Sequence, residues 1–347
     1  MASSFLFCVV QYYNMTRIAI NGFGRIGRLF FRQITDLSEF EVVAINDLGD
    51  VENLEYLLKY DTVYGKFNRG LEGMKVLQEK DPVKLPWKEL GVDIVVESTG
   101  AFESYELASL HLKAGAKRVV LTAPARQQTG LVGGEEIGGK TVLMGINEDD
   151  LKSCTISSNG SCTTNAAAPV VQVLSENPGI KKAILNTVHG YTATQNLVDG
   201  PVKGSDVRRG RAAGQNIVPS STGAAIAVTR AVKELEGKFD GIAMRVPIVA
   251  GSIADITFVA KRKTSVEEIN KILEDAAALP KWKGIFKVTK DPIVSSDIIG
   301  EPYGAIIDLS FTRVIDGDLV KVLSWYDNEW GYASTLVKHV EVIARTI

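Results

Sequence analysis

From Arg17 onward, short β-branched apolar runs alternate with stretches in which apolar residues recur every three or four positions. The first half predicts strands over 18–20, 42–45, 93–97, 118–121 and 141–146. Helices are expected over about 27–37 and 103–114, and Leu54, Leu57 and Leu58 fall at helical spacing. Strands that are apolar at nearly every position suit a parallel sheet covered on both faces, because consecutive side chains point to opposite sides. After Asn159 the pattern changes. A helix is expected over about 163–174, bent where Pro169 removes the amide that would bond the Asn165 carbonyl. Longer strands follow near 182–188, 239–247, 252–261, 304–311 and 319–326. A final helix over 330–347 carries Leu336, Val337, Val340 and Ile343 on one face and is expected to return and cover the first domain. The fold class is therefore α/β: a doubly wound domain followed by an α+β domain with a mixed or antiparallel sheet. At 347 residues the chain is long enough for two such cores.

Composition narrows the partners. The chain is 45% hydrophobic and 23% charged with a formal net charge of -2, so no general field draws it to nucleic acid or an anionic membrane, and a bound anion must be gripped locally. Cys8, Cys154 and Cys162 show no CxxC spacing. Together with only three histidines, they leave no disulfide framework and no metal cluster in the sequence pattern, which points to a reducing, cytoplasmic setting. No apolar run reaches the roughly 18 residues of a membrane span. Residues 1–14 include an apolar stretch but lack the basic start and small-residue cleavage site of a signal peptide, and are expected to be a dispensable extension.

The first strand runs into Gly22-Phe23-Gly24-Arg25-Ile26-Gly27, which then opens a helix. Glycines there permit a tight turn, close backbone approach to a pyrophosphate and an anion site at the helix N-terminus, as in Rossmann-type dinucleotide sites. The bare motif is weak, but Asp47 ends the next strand twenty positions after Gly27, where a carboxylate is expected on the adenosine ribose. A carboxylate repels a 2′-phosphate, so NAD is expected over NADP. Ser98, Thr99 and Thr122 follow the next strands at the carboxyl edge, as cofactor contacts or as ordinary helix caps.

In Ser158-Asn159-Gly160-Ser161-Cys162-Thr163-Thr164-Asn165 a cysteine sits where a loop enters a helix, where the dipole favours thiolate and backbone amides point at an oxyanion. A buried structural cysteine fits the local sequence as well. His189 lies 27 residues on, at the end of the following strand, so helix out and strand back bring it within reach as a base. His111 and His339 are expected on helix surfaces. The polar stretch 192–222 is too long for a plain connector; its Arg208, Arg209 and Arg211 suit loop or interface structure better than a nucleic-acid patch.

At these residues the chain resembles the glyceraldehyde-3-phosphate dehydrogenases. INGFGRIGR, YLLKYDTVYGKF, SNGSCTTN, VHGYTAT, GQNIVPSSTGAA, RVP and WYDNEWGY occur in the family's order from Thr16 almost to the C-terminus. The resemblance implies Cys162 as nucleophile and His189 as base. It implies Thr192, Thr194 and Arg245 on the substrate phosphate; Ser161, Thr163, Thr222 and Gly223, with Arg245 nearby, on inorganic phosphate; and Asn328 on the nicotinamide amide. It implies oxidative phosphorylation of glyceraldehyde 3-phosphate through a Cys162 thioester, with 192–222 as an S-shaped loop lining a neighbour's cofactor site in a homotetramer. The cofactor domain would comprise 15–161 and 328–347 and the catalytic domain 162–327. Gly190 stands where the family usually has Ser, Ala166 where a second Cys is usual, and Lys80 where Arg is usual near the adenine; 68–78 looks shortened and 127–140 expanded. An erythrose-4-phosphate dehydrogenase, or a non-catalytic NAD- or RNA-binding relative, would carry much of the same motif set.

Overall fold

The computed structural model describes residues 15–126, 129–132, 135–202 and 206–347, with side chains of 129–132 and 135–137 excepted. Residues 1–14, and part of the 127–140 region expected to be expanded, lie outside the described residues.

Two sheets organise the chain. The first runs in the order Lys75–Leu77, Phe40–Asn46, Thr16–Asn21, Ile94–Glu97, Arg118–Leu121, Ile156–Ser158, Glu135–Thr141 and Thr129–Val132. Its pairs are parallel except for the last, antiparallel hairpin. Alternate residues of the central strands enter separate cores: Ile18, Ile20, Ile94, Val96 and Val120 join one, and Ala19, Val95, Val119 and Leu121 the other. This is the two-sided burial that the near-continuous apolar runs imply.

The second sheet is mixed, in the order Val218–Ser221, Phe239–Val246, Ile180–Gly190, Ser252–Ala260, Leu319–Tyr326, Ala305–Ile315 and Phe286–Thr289. Ala254, Ile256, Phe258 and Ala260 alternate inward along one strand against the helices Cys162–Glu176 and Val266–Ala277. On the other face Ile184 and Ile242 remain exposed.

The last helix, Trp330–Ala344, buries Leu336, Val337, Val340 and Ile343 and returns to the first helix, Arg25–Ile34. Ser334 Oγ donates to Gln33 Oε1 at 2.8 Å, and Gln33 Nε2 to the Trp330 carbonyl at 3.1 Å. The helix Cys162–Glu176 is continuous through Pro169.

Three expectations are corrected. Residues 142–146 are not a strand: that pairing edge is supplied earlier, by Glu135–Thr141, and Val142, Leu143 and Met144 are buried in the turn that follows. His111 and His339 are not on the surface; both are fully buried, because a neutral imidazole with two hydrogen bonds is as tolerable inside as a small aromatic ring. His339 Nε2 lies 2.8 Å from Ser157 Oγ, and its Nδ1 3.2 Å from Asn159 Oδ1, joining the last helix to the strand that leads into Cys162.

Burial depresses the His339 pKa from the ordinary 6.5 to about 3. The folded protein therefore binds one proton fewer than the unfolded chain between those values. The stability this represents is complete above about pH 6.5 and is lost as pH falls, by about 1.4 kcal/mol per pH unit. His189, depressed to about 3 as well, adds the same dependence. Denaturation measured from pH 7.5 to 5 is expected to show this slope, and His339→Gln to reduce it by one proton; an undiminished slope would rule His339 out as a source.

Candidate active site

The helix that begins at Cys162 is capped by Ser161, whose Oγ accepts from the Thr164 amide at 3.1 Å while Thr164 Oγ1 accepts from the Ser161 amide at 3.2 Å. This capping box fixes the loop and leaves Cys162, partly exposed, at the first helical position. The chain then returns along Ile180–Gly190, whose last turn of sheet carries His189 back to the start of the helix. Cys162 Sγ lies 3.4 Å from His189 Nε2. The parallel neighbour Phe239–Val246 pairs His189 with Arg245 in register, which puts the guanidinium beside the imidazole.

Two groups compete for His189 Nδ1. The Gly190 carbonyl lies at 2.6 Å and can only accept; Arg245 Nη1 lies at 2.7 Å and can only donate. Bonded to the carbonyl, Nδ1 carries the proton and Nε2 turns a lone pair toward Sγ. Burial and then the Arg245 charge keep the imidazole neutral, with a pKa near 3. Burial also pushes the Cys162 thiol up, against the pull of Arg245 and the Thr163 amide. The expectation that a helix N-terminus alone would favour the thiolate is thus outweighed by desolvation. Moving the proton from Sγ to Nε2 leaves the pair's net charge unchanged, and two opposite charges at that separation attract by about 5 kcal/mol at an effective dielectric near 20. The two groups therefore titrate as a pair.

Behind the pair, Tyr326 Oη meets Thr163 Oγ1 at 2.8 Å and Thr187 Oγ1 at 2.7 Å, and its ring stands edge-on to His189. Thr163 is buried, its hydroxyl engaged there rather than turned outward. Thr192 and Thr194 lie together, 3.0 Å between hydroxyls, with Arg209 Nη1 3.2 Å from Thr194. Thr222 and Gly223 follow the Val218–Ser221 strand, which pairs with the Arg245 strand, and lead into the helix Ala224–Ala231. Arg208, Arg209 and Arg211 pair with Asp206 and Asp199, which removes them as a bare basic patch.

Asn328 Oδ1 accepts from the Gly251 amide at 3.1 Å and from Ser252 Oγ at 2.9 Å, and Ser252 Oγ accepts in turn from the Gly190 amide at 3.2 Å. Asn328 is therefore tied, through Ser252, to the end of the strand that holds the base. Ser252, Thr187 and Tyr326 escaped the sequence reading, because a hydroxyl on an ordinary strand carries no local signal of what it will face, and Arg209 was read there only as loop or interface structure.

At the carboxyl edge of the first sheet a cavity of about 850 Å³ is lined by Gly22, Gly24, Asp47, Leu48, Ser98 and Thr99, among others. A Cβ on Gly22 would lie 2.6 Å from the Ser98 carbonyl carbon, and one on Gly27 2.1 Å from the Gly22 carbonyl oxygen, whereas Gly24 faces open space. Two glycines close the turn and the middle one leaves room for a ligand, as a dinucleotide pyrophosphate requires. Asp47 accepts from the Phe23 amide at 2.6 Å and the Gly49 amide at 2.8 Å, fixing its carboxylate on the cavity wall. Ser98 Oγ donates to the Gly22 carbonyl at 2.6 Å. Ile26 is half-buried against the core, and Arg25 turns its guanidinium to Asp61 and Glu329. Thr122 ends the adjacent strand and does not line the cavity.

A doubly wound domain with a dinucleotide cleft, joined to a mixed sheet that presents a cysteine–histidine pair beside an arginine, defines an NAD-dependent dehydrogenase. Residues 16–105 match the family model "Glyceraldehyde 3-phosphate dehydrogenase, NAD binding domain" and residues 161–328 the corresponding C-terminal domain. The chain is 50% identical to a glyceraldehyde-3-phosphate dehydrogenase of Thermotoga maritima, an alignment covering 95% of this chain and 100% of that one. It is 45% identical to that of Clostridium pasteurianum, over 95% and 99% respectively, and 46% to that of Mycobacterium avium, over the same shares. The chain belongs to the glyceraldehyde-3-phosphate dehydrogenase family, and NAD is its cofactor.

Proposed function

We propose that Cys162 carries the reaction as a thioester, with glyceraldehyde 3-phosphate and inorganic phosphate as co-substrates. The observation that supports this most directly is the 3.4 Å approach of Cys162 Sγ to His189 Nε2 at a capped helix N-terminus, with Arg245 alongside. Sγ adds to the aldehyde carbon as its proton passes to His189. His189 returns that proton to the oxyanion, takes it back from the hemithioacetal hydroxyl as hydride leaves and the thioester forms, and phosphate oxygen then attacks the acyl carbon, releasing the Cys162 thiolate. NAD, when bound, supplies the acceptor for the hydride. Gly22, Gly24, Gly27, Asp47, Ser98 and Thr99 hold it, and Asn328, its Oδ1 already occupied, offers its Nδ2 to the carboxamide. Thr192, Thr194 and Arg245 take the substrate phosphate, and Ser161, Thr163, Thr222 and Gly223 the attacking phosphate. For Thr163 this role requires its hydroxyl to serve Tyr326 as well. A phosphate that draws Arg245 away from Nδ1 favours the Gly190-bonded tautomer, which is the one able to act as base.

The cofactor unit in this reading is 15–161 with 328–347, and the catalytic unit 162–327. The exposed Ile184 and Ile242 on the open sheet face, with Leu197, Val198 and Val207 exposed in the 192–222 region, favour assembly as a homotetramer. The unpaired thiols Cys154 and Cys162 suit a cytoplasmic setting. No helix among the described residues is long and apolar enough to cross a membrane.

A spectrophotometric assay tests the reaction: sustained NADH formation over many turnovers is expected only with aldehyde, NAD and phosphate together. Faster turnover of erythrose 4-phosphate would favour the related sugar-phosphate enzyme, and NAD binding without turnover a non-catalytic role. Asp47→Ala is expected to raise NADP use relative to NAD by removing repulsion at the ribose; a wild type that already prefers NADP would refute that role.

A further inference from the structure

Beneath the nucleotide cavity lies a buried carboxylate that the mechanism leaves unused. Glu97 ends the central strand Ile94–Glu97 and is 3% exposed. An interior carboxylate is tolerated only when its oxygens are well supplied with donors. Glu97 has four. Oε1 accepts from the Thr99 amide at 2.8 Å and from the Thr99 hydroxyl; Oε2 accepts from Asn21 Nδ2 and from His111 Nε2, the latter at 2.9 Å.

The protonation of His111 follows from its other neighbour. The Trp87 indole N–H, which can only donate, lies 3.0 Å from His111 Nδ1. Nδ1 must therefore be the acceptor and Nε2 must carry the proton, aimed at Glu97. On the far side the relay continues. Asn46 Nδ2 donates to Asn21 Oδ1 at 2.6 Å and to the Glu79 carbonyl at 2.9 Å, and the Glu79 amide donates to Asn46 Oδ1 at 2.8 Å. Thr99 lines one wall of the cavity, and Glu79, Lys80 and Asp81 line the other.

We propose that Glu97 is a positioning residue for the dinucleotide cleft. One buried carboxylate holds the turn at Thr99 and, through Asn21 and Asn46, the segment that begins at Glu79, and His111 keeps it aimed. The inference rests on the assignment of this cavity to NAD.

Position and charge make opposite demands, which gives the test its sign. If Glu97 acted through its charge alone, Glu97→Gln would remove a negative group near a bound pyrophosphate and tighten NAD. If it positions the walls, the glutamine amide must turn a donor toward either the Thr99 pair or the Asn21–His111 pair, and one wall is released. Isothermal titration of NAD into the full-length protein is expected to show at least a tenfold weaker Kd for Glu97→Gln. In turnover, KM for NAD should rise while KM for the aldehyde does not, a split that general loss of structure would not produce. Tighter or unchanged NAD binding would overturn the proposal. His111→Leu provides the same test should Glu97→Gln fail to fold: His111 does not line the cavity, so a Kd weaker by threefold or more supports the relay and an unchanged Kd overturns it. Asp47→Ala, titrated in parallel, separates the two levels. Weakened binding there with no effect at Glu97 and His111 would sink the relay alone, whereas no effect at any of the three would sink the assignment of the cavity.

Discussion

Cys162→Ser is expected to lower turnover by about 10⁴-fold or more, the scale on which loss of a catalytic nucleophile reads out. The substitution keeps the size and polarity of the side chain, so the capping box at Ser161 and Thr164 should survive and thermal stability should change little. What is lost is chemical. A hydroxyl ionises far less readily than a thiol, and its ester is a poorer acyl donor to phosphate than a thioester, so both addition and release suffer. Single-turnover mixing of wild type with aldehyde and NAD, phosphate withheld, should give one equivalent of NADH and an acyl group on Cys162 detectable by mass. Activity retained in Cys162→Ser would remove the nucleophile assignment altogether.

His189→Asn is expected to reduce kcat by about a hundredfold or more, the usual contribution of a positioned general base. It should also slow alkylation of Cys162. In the wild type the thiol proton has a destination 3.4 Å away. In the variant it has none, while the burial that pushes the thiol up remains. The pH midpoint of iodoacetamide modification should therefore move upward, and modification at neutral pH should slow. Cys154, 5% exposed and likewise pushed up by burial, should contribute little to inactivation. An unmoved midpoint in His189→Asn would mean that the imidazole does not share the cysteine's proton, whatever its effect on turnover.

The periodicity of the chain was enough for the two architectures, because burial on both sheet faces and burial on one face leave different patterns along a strand. Strand 319–326 was legible end to end for that reason, the helix after Ser161 to within two residues at either end, and the last helix by its apolar stripe. The edge strands Lys75–Leu77, Val218–Ser221 and Phe286–Thr289 were not, since a short edge strand buries too little to impose a pattern. The turn at 142–146 imitated a strand because its side chains are buried for tertiary reasons. His111 and His339 were misplaced on the same ground: each gains its partners only when distant strands close over it.

The sequence by itself determined the local devices: the glycine turn, the acid at the end of the next strand, and a cysteine at a helix start. Each depends on residues within a few positions of one another and on backbone sterics that hold in any context. Only the tertiary structure decided which atoms meet. The register that sets Arg245 beside His189, the hydroxyl of Ser252 that links the strand end holding the base to Asn328, and the four donors on Glu97 all join residues between 14 and 76 positions apart along the chain, apart from Thr99. Contacts at that range are selected by sheet order and burial. The direction of the cysteine's ionisation was decided there too, since the helix terminus that favours the thiolate is local and the desolvation that opposes it belongs to the whole fold.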